Sequence, residues 1–99
     1  MHLEEFKRLL SEPEPPPGVG PLLKALWHEA NGDWPRAHEI VQDLDGREAA
    51  RVHAYLHRRE GDLPNAGYWD RRAGNNAANV SLEQEWAALA TDFLGGQSK

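Results

Sequence analysis

Cysteine is absent from the 99 residues, which excludes disulfides, thiol nucleophiles and thiolate metal sites. Positive charge is scarce: 11 Lys and Arg face 16 Asp and Glu, for a net charge of −5. A phosphate backbone calls for a basic footprint, so nucleic acid is not an expected partner. No apolar run approaches the ~20 residues that a bilayer span needs. The opening Met1-His2-Leu3-Glu4-Glu5 carries acid where a secretory leader carries Lys or Arg. The expectation is a soluble, cytoplasmic chain with no membrane partner. Period-two alternation is also missing, which leaves no strand to place.

What remains is helical. The length suits one domain, 1–99. Leu3, Phe6, Leu9 and Leu10 recur at helical spacing, predicting an N-terminal helix over 3–11. Prolines 13, 15, 16 and 17 make 12–20 an extended spacer. Pro21 suits the first turn of a second helix, with Gly20 as its cap, running to about Asn31. Gly32 ends that helix and Asp33 caps a third, 34–44. Asp45-Gly46-Arg47-Glu48 has capping-box spacing and opens a fourth helix that stops at Gly61. Asp62 caps a fifth, 63–73, closed by Gly74, and Asn75–Val80 reads as a polar connector. Ser81-Leu82-Glu83-Gln84 is another capping box, and Leu82, Trp86, Leu89 and Phe93 stripe a sixth helix, 81–94, ended by Gly95-Gly96 before a frayed tail. The fold class is all-α, with about six short helices.

Within it lies an internal match. Residues 25–42 align with 54–71 at an offset of 29 without a gap, pairing Ala25/Ala54, His28/His57, Gly32/Gly61, Asp33/Asp62, Pro35/Pro64 and Ala37/Ala66. Most of these residues build a helix–turn–helix corner: Gly ends one helix, Asp caps the next, Pro enters its first turn and Ala permits close approach. The chain therefore divides into a first repeat, 21–44, and a second, 45–74, flanked by capping helices. The Gly-Asp-x-x-x-Ala corner resembles the tetratricopeptide repeat, and Ala66-Gly67-Tyr68-Trp69-Asp70-Arg71-Arg72-Ala73-Gly74 is similar to the Sel1-type repeat. The resemblance covers 22–74, with an offset shorter than a tetratricopeptide repeat and only two copies. Such a chain completes its stack with its terminal helices or as a homodimer. The resemblance implies a scaffold that presents a groove to a protein or peptide, without a cofactor, rather than a catalyst.

Three constellations carry chemistry. His28, His38, His53 and His57 lie within the repeats. On a wheel of the fourth helix, Ala49, Ala50, Val52 and Leu56 mark the buried side, and His53 and His57, four residues apart, fall inside it. Two or three imidazoles meeting between helices can hold zinc or a similar divalent metal. The competing reading is a set of core histidines hydrogen-bonded to carbonyls or carboxylates. Arg51, Tyr55 and Arg58, with Arg59 beside them, mark the opposite face. In the tetratricopeptide arrangement that face lines the concave groove, and its guanidinium forks suit an acidic peptide or a free C-terminus. The competing reading there is a solvated face paired to the chain's own acids. Trp27, Trp34, Trp69 and Trp86 occupy packing positions, with Trp34 at the tight corner the best placed to join a binding patch. Asp33 and Asp62 read as caps rather than paired acids. The leading expectation is a peptide-binding module using Arg51, Tyr55, Arg58, Arg59 and Trp34. The alternative is a small metal-binding protein, in some versions an enzyme, using His28, His38, His53 and His57.

Overall fold

Two short corners set the course of the chain. At the first, Gly32 takes a φ of +84°, and at the second Gly61 takes +88°. A side chain adopts that region only at a cost of roughly 1–2 kcal/mol, so glycine belongs there. The next residue caps the following helix in both places: the Asp33 carboxylate accepts from the Arg36 amide at 3.2 Å, and Asp62 from the Asn65 amide at 3.3 Å. The backbone closes alike, with the Asp33 N–H donating to the His28 carbonyl and the Asp62 N–H to that of His57. The two acids are therefore helix caps.

The computed structural model of the protein describes residues 1–74 and 79–97. The order is α1 (Leu3–Arg8) with a 3₁₀ turn at Leu9–Ser11, then α2 (Pro21–Ala30), α3 (Trp34–Gln42), α4 (Arg47–Arg59), α5 (Leu63–Ala73) and α6 (Leu82–Gln97). The described residues contain no strand, and none of their helices is long and apolar enough to cross a membrane. Gly20 and Ser81 behave as read from the sequence: Gly20 precedes α2, and Ser81 and Gln84 exchange reciprocal bonds at the start of α6.

Four boundaries differ from the sequence reading. The first helix is α for only six residues before it tightens to the 3₁₀ turn. The third ends at Gln42 instead of 44. Asp45 does not cap α4; Gly46 does, at a φ of +102°, so the Asp45-to-Glu48 box is not formed. α6 continues through Gly95 and Gly96 to Gln97, because Leu89, Ala90 and Leu94 on its inner side are buried and tertiary packing outweighs glycine's low helix propensity. Most of the expected connector, 75–78, and the last two residues of the tail, 98–99, lie outside the described residues.

α4 is the central element and packs on α2, α3, α5 and α6. Phe6, Leu23, Leu26, Val41, Val52 and Leu56 form the buried core with Trp86, Leu89 and Leu94 of α6. Three indole N–H groups act as fasteners on backbone carbonyls. Trp27 bonds to Leu9, joining α2 to the 3₁₀ turn; Trp34 bonds to Leu56, joining α3 to α4; Trp86 bonds to Leu26, joining α6 to α2. For buried Trp27 and Trp86 this meets the requirement that a buried indole find an acceptor.

Candidate functional site

Three of the four repeat histidines converge where α3 crosses α4. His38 enters from α3, and His53 and His57 from successive turns of α4. The His38 and His53 Nε2 atoms are 3.0 Å apart, and one potential ligand atom from each of the three rings lies within 4.8 Å of the others. His53 and His57 are parallel, with centroids 5.1 Å apart, and His38 meets both edge-on. His53 and His57 are buried, whereas His38 is half-buried.

Two tryptophans wall the cluster. The Trp34 ring lies parallel to His38 at 4.9 Å, and Trp69 of α5 lies parallel to His53 at 3.9 Å. Their apolar faces replace water around the imidazoles, which disfavours the charged form. Burial first, and then repulsion from His38 and His57, holds His53 down to about 4. His38 is lowered for the same leading reason, with His57 again opposing its charge. A neutral imidazole is the form that binds metal.

The His57 ring is turned by its own helix end. Its Nδ1 lies 2.8 Å from the Glu60 carboxylate, one turn on at the C-cap of α4. A carboxylate accepts, so Nδ1 is the donor in this contact, and in the neutral form of the ring the lone pair is then on Nε2. A carboxylate that orients a histidine in this way is the usual companion of a ligating imidazole. Asp62 also lies near this pair, but both its oxygens accept from Asn65, through the backbone amide and the side-chain Nδ2.

His28 is not in the cluster. Its ring packs edge-on to Trp27. The sequence equates it with His57, but the two see different neighbours. His57 faces α3, which supplies His38 and Trp34, whereas before α2 the chain is the proline spacer 12–20, which contains no histidine. Trp69 and Glu60 were not anticipated in the site. The Glu60 signal was available, because a carboxylate three residues after His57 lies on its face of the helix.

The arginine face differs from the open groove expected of it, because α6 lies across it. Arg58 is mostly buried; its guanidinium donates to both oxygens of buried Asp70 on α5 and to both oxygens of Glu85 on α6. Arg51 bonds to Glu48 and to Asp92 of α6. Tyr55 is fully buried and its hydroxyl donates to Glu29, toward which Arg59 also points at 3.4 Å. Arg59 further reaches Glu83 on α6. A cavity of about 360 Å³ lies between Leu10, Glu29, Tyr55, Arg59 and Trp86. The fifth residue expected in a binding patch, Trp34, belongs instead to the wall of the histidine cluster.

Comparison with known protein families, with curated proteins and with solved structures yields no match.

The neutral state of His53 has a consequence for stability. An unfolded histidine titrates near 6.5, whereas folded His53 holds its proton only below about 4. Between those values the unfolded chain binds the extra proton, so stability is complete above about pH 6.5 and falls as the pH drops toward 4. The loss expected from His53 is on the order of 2 kcal/mol once solvent reaching the ring edge is allowed for. Urea unfolding at pH 7 and at pH 4.5 measures it. His53→Leu should flatten the difference, and an equal slope in that variant would assign the acid sensitivity elsewhere.

Proposed function

We propose that this chain is a small helical metal-binding protein that takes one divalent first-row cation, with zinc the simplest case, on His38, His53 and His57. The observation that carries the reading is the convergence of three imidazoles from two helices, with Glu60 fixing the third. Two nitrogens on a tetrahedral ion at Zn–N distances of 2.0–2.1 Å lie roughly 3.3 Å apart. The 3.0 Å between His38 and His53 needs to open by only a few tenths of an ångström to match. Imidazole without thiolate suits zinc, copper or nickel rather than magnesium or calcium.

The peptide-binding reading suggested by the tetratricopeptide resemblance has less behind it. Arg51, Tyr55, Arg58 and Arg59 already have carboxylate partners within the protein, and a new acidic ligand would have to displace them.

Calorimetric titration of tag-free protein with zinc at neutral pH tests the proposal. Binding of one ion per chain is expected. His38→Ala and His53→Ala should each weaken it by at least about 100-fold, since loss of a ligand exceeds the 10–100-fold typical of losing a ligand's supporting partner. His28→Ala should bind as the wild type does. Absent binding, or equal loss in His28→Ala, would overturn the assignment.

A further inference from the structure

The cluster offers three nitrogens, and the carboxylates nearest to it are engaged elsewhere. Glu60 is engaged with Nδ1 of His57. Asp62 accepts from Asn65 at the head of α5. Among the described residues, no group of four candidate ligands forms around His38, His53 and His57. Tetrahedral zinc held by three protein ligands keeps its fourth position for water or a small exogenous ligand.

Charge balance indicates what that ligand is. Three neutral imidazoles leave the ion's double positive charge uncompensated by any directly bound carboxylate. Trp34 and Trp69 exclude water from two flanks, which strengthens attraction to an anion. His38 is the half-buried member of the three.

Building on the metal reading above, we propose that the His38/His53/His57 centre leaves one coordination position to hydroxide or another small anion, and that with hydroxide there it hydrolyses activated aryl esters. A three-histidine zinc site generates hydroxide from bound water near neutral pH. The hydroxide oxygen forms a bond to the acyl carbon, the bond from that carbon to the aryl oxygen breaks, and the phenolate leaves with the electron pair. Carboxylate departs, a fresh water binds and loses a proton, and the turnover consumes one water and releases two protons to the buffer.

The test uses the full chain loaded with zinc or with cobalt, p-nitrophenyl acetate as substrate and azide as the anion probe. The zinc form is expected to hydrolyse the ester at least about tenfold faster than the metal-free protein or an equal concentration of free zinc. The rate should rise with pH through neutrality, and azide should suppress it. Azide should also change the visible absorption of the cobalt form, and His53→Ala should show neither effect. Cobalt bound one per chain with an azide-insensitive spectrum and no rate gain would overturn this inference and leave the metal site standing. Failure to bind cobalt or zinc at all would overturn both.

Discussion

Arg58→Ala is expected to destabilise the protein by about 3–5 kcal/mol, the usual result of breaking a buried ion pair by removing one partner. The guanidinium joins three helices, with one edge on Asp70 of α5 and another on Glu85 of α6, and all three side chains are largely shielded from water. Removing it leaves two carboxylates in a poorly solvated seam, close enough to repel one another. The arginine is correspondingly held in its charged form, with the Glu85 bonds the main reason and the Asp70 bonds adding to it. A domain of this size has only about 5–15 kcal/mol of total stability, so the loss should be plain in a urea titration. Arg58→Met with Asp70→Asn and Glu85→Gln removes all three charges and should recover much of it. Exposed pairs give a contrast: Lys7→Ala, which removes a 3.9 Å contact to Glu4, should change stability by less than about 0.5 kcal/mol.

On the proposed reading, metal should stabilise the folded chain strongly, because His38 comes from α3 and His53 and His57 from α4, and the three meet only when α3 packs on α4. An ion that binds the native state alone adds about 2.7 kcal/mol at 100 times its dissociation constant and about 4.1 at 1,000 times. For a chain of this length that corresponds to a rise of roughly 10–25 °C in the melting midpoint. A melting curve of the wild type with zinc, and again after chelation, should show this rise and its reversal. His38→Ala and His53→Ala should melt alike with and without metal. A wild-type midpoint indifferent to zinc and chelator would contradict the account.

The corners were the most legible part of the fold in the sequence. Gly32-Asp33 and Gly61-Asp62 each combine a residue free to take positive φ with a side chain able to cap, and local chemistry of this kind is written in adjacent residues. The burial of His53 and His57 was equally readable, since their helical spacing puts them beside Val52 and Leu56. What the wheel of α4 hid was its other side. Arg51 and Arg58 count as solvent-facing on any hydropathy pattern, yet both meet acids of α6, 41 and 27 positions away. Periodicity reports which face is apolar and is silent on whether a charged face is covered by complementary charge. The same limit applied to His28 and His57: the sequence match equates them, but the proline spacer precedes α2 where α3 precedes α4. Gly95-Gly96 misled for the opposite reason, since local propensity there yields to the packing of Leu94.

Whether His38, His53 and His57 hold one metal ion is decided by a crystal structure of zinc-loaded protein with anomalous data collected across the zinc edge. One strong peak per chain is expected between α3 and α4, about 2.0–2.1 Å from a nitrogen of each of the three imidazoles, with a non-protein atom as fourth ligand and Glu60 still on His57 Nδ1. An empty cluster with His38 and His53 hydrogen-bonded to each other, or a zinc peak lying elsewhere on the chain, would contradict it.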